Sequence, residues 1–145
     1  MKKTLWGILI LVVLTGCEEK KSNSDPKYEG IDNAIESIID TMNNAPYKDS
    51  PATFKIEHAS KLFGIAMYTS VPSMLPENCT QEKLSAYHSK LSVGATVNEN
   101  IFDIVRAMIP VVCEDGVYKK EKYDAESQVL YSYAKKKFTD EFVEK

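Results

Sequence analysis

Residues 79–113 read CTQEKLSAYHSKLSVGATVNENIFDIVRAMIPVVC, two consecutive helical patterns enclosed by a pair of cysteines. The first pattern, over 80–93, places four side chains on one helical face: Leu84, Tyr87, His88 and Leu91. The second, over 97–112, starts in a capping box, Thr96-Val97-Asn98-Glu99. Its apolar face comprises Ile101, Phe102, Ile104, Val105, Met108 and Ile109. Pro110 predicts an end or a kink near the end of this second helix.

We expect a tight turn at Gly94-Ala95 to fold these two helices into an antiparallel hairpin. At 1.5 Å per residue the helices are roughly 21 and 24 Å long, so their far ends should lie side by side. Those ends carry Cys79 and Cys113, and in an exported protein such a pair predicts a disulfide. Closing a loop of about 35 residues contributes roughly 3 to 4 kcal/mol to stability in the chain-entropy model.

Upstream of the hairpin, Asp25-Pro26 has the pattern of an N-cap followed by a first-turn proline. It opens an amphipathic helix of about five turns that ends at Asn43-Asn44 and Pro46. The apolar face of this helix comprises Tyr28, Ile31, Ile35, Ile38, Ile39 and Met42. Its polar face comprises Glu29, Asp32, Asn33, Glu36 and Asp40.

The next segment begins with a second cap signal, Ser50-Pro51. Residues 54–71 are apolar over most of a helical circumference, which predicts a central, largely buried helix. The alternation over 54–57 also fits a short strand, and Gly64 weakens a helix by about 1 kcal/mol relative to Ala. Residues 71–78 contain two prolines and are predicted to form a loop.

Downstream of the hairpin, Asp115-Gly116 predicts a turn, and residues 120–143 predict a last helix. The apolar stripe of this helix comprises Tyr123, Leu130, Ala134, Phe138 and Phe142. Together these patterns predict one all-α domain over residues 26–145. We expect a small bundle of about five helices with one disulfide-closed helical hairpin.

The N-terminus has the features of a secretory signal. Lys2 and Lys3 precede ten apolar residues, 5–14, which are followed by small residues and a cysteine. Ten helical residues cover roughly 15 Å, half of a hydrocarbon core, and so are too short to span a membrane. The quartet Leu14-Thr15-Gly16-Cys17 resembles the lipobox of bacterial lipoproteins. This resemblance implies cleavage before Cys17 and diacylation of that cysteine, with palmitate among the expected acyl groups.

The lipobox divides the chain into a signal peptide, 1–16, a lipidated cysteine with a flexible tether, 17–25, and the helical domain, 26–145. Two or three acyl chains hold a protein on a membrane far more firmly than one does, so we expect the membrane to be a partner through Cys17. Glu18 after the cysteine resembles an outer-membrane sorting signal of Gram-negative bacteria. It implies a lipid-anchored envelope protein on the outer membrane, facing the periplasm.

Charge and motifs argue against several classes of function. The chain has 21 acidic and 18 basic residues, so nucleic acid is not an expected partner. His58 and His88 lie in separate segments without a metal-binding spacing, so no metal is expected. Ser132-Tyr133-Ala134-Lys135 matches Ser-x-x-Lys, but the companion motifs of penicillin-binding enzymes are absent from the sequence. A glycine-rich phosphate loop is absent too. We therefore expect no cofactor and no enzymatic activity.

Protein binding is the function that these observations favour. From Lys61-Leu62-Phe63-Gly64 through Cys79 to Val112-Cys113, the chain orders a glycine-containing helix, a cysteine, two helices and a closing cysteine. This order is similar to that of helical immunity proteins against type VI secretion amidases. The resemblance implies an immunity protein that neutralises a periplasmic toxin. The alternative is an envelope assembly or adaptor lipoprotein of non-enzymatic function.

Two surfaces are candidates for contact with such a protein partner. The polar face of the first helix suits a basic partner: Glu29, Asp32, Glu36 and Asp40. The last helix offers an aromatic residue among lysines for an acidic partner: Tyr133, Lys136 and Lys137. An ordinary solvated helix surface also explains each set, because every amphipathic helix has a polar side.

Overall fold

Helices make up most of the chain in the computed structural model, which describes residues 26–91 and 98–143. The helices are α1 Pro26–Met42, α2 Ala52–Ile65, α3 Val71–Met74, α4 Gln81–Leu91, α5 Glu99–Val112 and α6 Lys120–Val143. The strands are β1 Cys113–Glu114 and β2 Val117–Tyr118. The predicted all-α class with about five helices is confirmed, since only α3 among these helices is a single turn. The predicted signal peptide and tether lie outside the described residues.

The core forms where α1, α2, α5 and α6 pack together. Its fully buried side chains include Ile31, Ile35, Met42, Phe63, Ile104, Met108, Leu130 and Phe138. α2 packs against α6, with the Phe63 and Phe138 rings edge to face at 6.5 Å. α1 approaches α5 so closely at Gly30 that a Cβ there would lie 2.5 Å from the carbonyl oxygen of Asp103. The predicted buried stripe of α6 is confirmed.

The predicted loop at 71–78 is wrong, because the chain stays helical through residue 77. After α2 come a π-helical segment, Ala66–Ser70, then α3, then a 3-10 turn, Leu75–Glu77. Pro72 explains the π segment, since its ring clashes with the carbonyl four residues earlier in an α-helix. The N–H of Val71 accordingly donates to the carbonyl of Ala66, five residues earlier.

A side chain from another helix replaces the hydrogen bond that Pro72 removes. Pro72 has no N–H to donate, so the carbonyl of Met67 lacks a partner five residues on in the π pattern. The hydroxyl of Tyr123, on α6, donates to that carbonyl. This bond fastens the π segment to the last helix and gives the buried carbonyl of Met67 a donor.

The prediction of a largely buried second helix is wrong for one side of it. α2 buries Ala59, Ser60 and Phe63, whereas the side chain of Ile65 is 52% exposed. Residues 54–57 are helical, so the strand alternative fails, and the residue at the N-cap position is Pro51 rather than Ser50.

The predicted hairpin and its disulfide are confirmed. Cys79 and Cys113 are joined, with their Cα atoms 5.7 Å apart. Three further contacts show that α4 and α5 run antiparallel: Gln81 to the carbonyl of Arg106 at 3.1 Å, the Tyr87 and Phe102 rings at 6.1 Å, and His88 to the Glu99 carboxylate at 3.0 Å. The predicted turn at Gly94-Ala95 lies outside the described residues.

α5 differs from its prediction at both ends. It begins at Glu99, and the side chain of Asn98 caps it by accepting from the N–H groups of Asn100 and Ile101. Thr96, the first residue of the predicted capping box, lies outside the described residues. α5 also continues past Pro110 to Val112. The carbonyl of Arg106, which loses its helical donor to the proline, accepts the side-chain bond from Gln81 instead.

The predicted turn at Asp115-Gly116 is confirmed, and it joins two short strands that were not predicted. β1 and β2 pair antiparallel, Cys113 with Tyr118 and Glu114 with Val117. Both turn residues have positive φ, 53° at Asp115 and 81° at Gly116, as a two-residue hairpin turn requires. Among the described helices, none is both long and apolar enough to cross a membrane.

Candidate partner-binding groove

The first and last helices, α1 and α6, lie side by side and run parallel. The rings of Tyr28 and Tyr133 are 4.6 Å apart, and further along both helices Asp32 meets Lys137 at 3.9 Å. Beyond these contacts an open groove of about 530 Å³ runs between the two helices. It is lined by Asp32, Ile35, Glu36, Ile39, Lys137, Asp140 and Glu141. We call this the α1/α6 groove.

One end of the groove is fixed by hydrogen bonding and charge. The hydroxyl of Tyr133 donates to Oδ1 of Asp32 at 2.7 Å. Nζ of Lys137 lies 3.9 Å from the same oxygen and 5.3 Å from the centre of the Tyr133 ring. Burial, aided by the bond to Asp32, raises the pKa of Tyr133, so the hydroxyl stays protonated and remains a donor at neutral pH.

The contacts among Asp32, Tyr133 and Lys137 join the two candidate surfaces that were predicted from the sequence. Asp32 belongs to the predicted acidic surface, and Tyr133 and Lys137 belong to the predicted basic one. The structure brings these three residues together, so they neutralise one another in part. Tyr133 is half-buried rather than exposed. Whether either surface binds a partner stays a prediction.

The other predicted contact residues occupy different places. Glu36 is exposed and lines the groove, and Asp40 is exposed one turn further along α1. Lys136 is exposed and pairs with Asp140 at 2.9 Å. Glu29 lies outside the α1/α6 groove and lines a separate depression with Asp103 and Arg106, among other residues.

An ion pair lies at that second depression. Nη1 of Arg106 lies 2.9 Å from Oδ1 of Asp103. Burial raises the pKa of Asp103, and Arg106 opposes that effect.

The groove combines an apolar floor with an acidic rim. Ile39 is partly exposed and contributes apolar surface, whereas Ile35 is buried, and four carboxylates face a single lysine among the described lining residues. These carboxylates do not form an ion-binding cluster, because no group of three or more His, Cys, Asp or Glu in the described residues is placed to hold a metal. The arrangement therefore suits an extended molecular surface better than a single cation.

Asp140 and Glu141 are groove residues that the sequence analysis missed. They follow Lys137 by three and four residues, a spacing that places them on the same side of α6. Extending the predicted lysine surface by one helical turn would have found them.

The two histidines take up separate structural positions, as their spacing predicted. The His58 ring stacks on that of Phe54 at 5.4 Å and lies 5.0 Å from that of Tyr47. His88 meets the Glu99 carboxylate and contacts the Phe102 ring edge-on at 4.5 Å. Both side chains thus have contacts within the fold.

Comparison with known proteins identifies the N-terminus. The family model of the prokaryotic membrane lipoprotein lipid attachment site matches residues 1–17. This match supports a bacterial lipoprotein held in the cell envelope by its lipid. No curated protein and no solved structure matches the chain significantly.

Proposed function

We propose that this envelope lipoprotein acts by binding another protein, and that the partner is a periplasmic toxin which it neutralises. The α1/α6 groove is the observation that carries the proposal. It is an open, concave surface with apolar and charged groups side by side, the combination found at protein interfaces. Occluding a toxin requires only such a complementary surface and no chemistry of the lipoprotein's own.

The groove is supported by rigid elements, which favours tight binding. Its walls are helices of 17 and 24 residues, fastened to each other by the Tyr133–Asp32 bond. Behind α1 stands α5, which is tied through Cys113 to Cys79. A surface that is already ordered loses little conformational entropy when a partner binds.

The lipid anchor sets where such a partner can be met. Eight charged and polar residues, 18–25, separate Cys17 from the domain, and they reach at most about 29 Å. The groove is therefore confined to a thin layer next to the membrane. Toxins that attack peptidoglycan or lipid work in that layer.

Co-expression tests the proposal. Each gene adjacent to that of the lipoprotein is expressed with a periplasmic signal, with and without the lipoprotein, and growth is measured. We expect at least one neighbour to be toxic alone and tolerated together with the lipoprotein. If none is toxic, or if toxicity is unchanged, the immunity proposal fails and an envelope assembly or adaptor role replaces it.

A matched pair of charge reversals locates the protective surface. Glu36→Lys alters the groove, whereas Glu57→Lys alters an exposed glutamate of α2 that lines a different depression. We expect the first variant to lose protection and the second to keep it. Immunoblotting of the membrane fraction and circular dichroism show whether both variants are folded and anchored.

A further inference from the structure

We infer that the segment of the partner which enters the α1/α6 groove is cationic and carries arginine or lysine side chains. This inference rests on the proposed protein-binding function and adds the chemistry of the partner. It follows from the charge of the groove, its floor and the distribution of its carboxylates over two walls.

The internal pairs of the groove leave it negative. Among the described residues that line the groove, Lys137 is the only basic one, and it already lies beside Asp32, which also accepts from Tyr133. The other acidic lining residues are Glu36, Asp140 and Glu141. Even counting Lys136, which pairs with Asp140, carboxylates outnumber ammonium groups. An anionic segment would be repelled here, and a wholly apolar one would strip water from the carboxylates without replacing it.

The floor of the groove selects for long basic side chains. Among the lining residues of α1, Ile39 is partly exposed and offers apolar surface, whereas Ile35 is buried. The methylene stem of a lysine or arginine packs on apolar surface while its charged end reaches a nearby carboxylate. An arginine guanidinium can also bind a carboxylate through two parallel hydrogen bonds.

The carboxylates are spread over both walls instead of converging. Glu36 lies on α1, and Asp140 lies on α6. In the part of the chain that the structure describes, no three acidic or other ligand side chains come close enough to hold a metal. Successive basic side chains of a peptide match this distribution, whereas one divalent ion does not.

A peptide-binding experiment tests the inference without the toxin. Fluorescein-labelled hexa-arginine and hexa-glutamate peptides are titrated with the lipidated protein in a non-ionic detergent, and fluorescence anisotropy is measured. We expect binding of hexa-arginine that weakens as salt is raised, and no binding of hexa-glutamate.

The chain offers a closely matched control for the groove variant. Asp140 pairs with Lys136 and Asp124 pairs with Lys120, both as exposed i,i+4 pairs on α6 at 2.9 and 2.8 Å. Only Asp140 lines the groove. We expect Asp140→Asn combined with Glu36→Gln to raise the Kd for hexa-arginine about tenfold. Asp124→Asn combined with Glu57→Gln should change it less than about twofold.

Two outcomes overturn the inference: no binding of hexa-arginine by the parent, or equal weakening by both double variants. If the parent does not bind but a Lys20→Ser, Lys21→Ser variant does, the protein's own tether occupies the groove in place of a partner. Failure of the inference is distinguishable from failure of the function. A Glu36→Gln, Asp140→Asn variant that still neutralises a toxin but no longer binds hexa-arginine leaves the proposed function standing and removes only the cationic segment.

Discussion

The absence of a side chain at Gly30 allows α1 and α5 to pack closely. A Cβ at this position would lie 2.5 Å from the carbonyl oxygen and 3.1 Å from the carbonyl carbon of Asp103. Backbone atoms cannot rotate aside, so Gly30→Ala should push the two helices apart. We expect a loss of about 1 to 3 kcal/mol from overpacking, offset in part by the roughly 1 kcal/mol that alanine gains over glycine in a helix. Urea unfolding followed by circular dichroism measures the net loss.

Gly64 supplies the control for that substitution. A Cβ at Gly64 would lie 3.2 Å from Cε1 of Tyr131, which belongs to a partly exposed side chain that can shift. Gly64→Ala should therefore keep most of the roughly 1 kcal/mol that alanine gains over glycine in a helix, less the small cost of moving that ring. If Gly30→Ala is no less stable than Gly64→Ala, contact with the Asp103 backbone does not limit the packing.

Several groove residues were predicted from the sequence, but the contacts between them were not. Asp32 and Tyr133 were each placed on a polar helix face, and they are 101 residues apart in the chain. Their hydrogen bond depends on the rotation and axial shift of one helix against the other. Hydrophobic periodicity specifies which face of each helix points inward. It does not specify how far one helix is rotated or shifted along its axis relative to the other.

The two proline-containing helical segments show why element boundaries were predicted less well than element types. Pro72 and Pro110 each remove a backbone donor, which justified predicting a loop and a helix end. In the folded chain each proline leaves one carbonyl without its helical donor, and a side chain donates to it instead. The hydroxyl of Tyr123 donates to the carbonyl of Met67, and the amide of Gln81 donates to that of Arg106. Both donors come from other helices, so the local sequence around each proline holds no sign of them.

Removing the Tyr123 hydroxyl should weaken the π segment. Tyr123→Phe keeps the buried ring but leaves the carbonyl of Met67 without this donor. An unsatisfied buried acceptor costs about 1 to 3 kcal/mol. We expect a loss of that size in urea unfolding at neutral pH. A variant as stable as the parent would mean that this bond contributes nothing to the fold.

The same variant should change how stability depends on pH. Burial raises the pKa of Tyr123 far above its usual range. In the unfolded chain a tyrosine loses its proton from about pH 10, while the folded protein retains it. The unfolded state then binds fewer protons, so stability falls as pH rises above about 10. Tyr123→Phe should show a shallower fall, and an unchanged slope would contradict the buried, protonated hydroxyl.

For the molecule as a whole, the Cys79–Cys113 disulfide is the principal covalent constraint in the described chain. It closes a loop with a sequence separation of 34. Reducing the parent, or replacing both cysteines by alanine, should lower the free energy of unfolding by about 3 to 4 kcal/mol. Unfolding in urea with and without dithiothreitol measures this loss. A difference below about 1 kcal/mol would show that the hairpin is held mainly by packing.

Attachment to the membrane is a second property of the whole molecule. Cys17→Ala removes the residue at which the matched lipid attachment site ends. We expect the variant to leave the membrane fraction, because it has no cysteine side chain at this position to carry the lipid. Fractionation and immunoblotting compare it with the parent. A variant that is still cleaved and still pellets with membranes would contradict lipid anchoring.

Because α1 packs beside α6, the groove can form only after the last helix has been synthesised and exported. One wall of the groove is in the first described helix and the other is in the last, so neither wall forms a groove by itself. Contacts between distant parts of a chain form late in folding, because the intervening loop must close first. A nascent chain that is still being exported thus lacks the groove, which is complete only once the final helix has emerged. A frameshift or premature stop at or before Lys137 would leave a lipid-anchored chain that has its N-terminal helices but lacks the α6 wall of the groove.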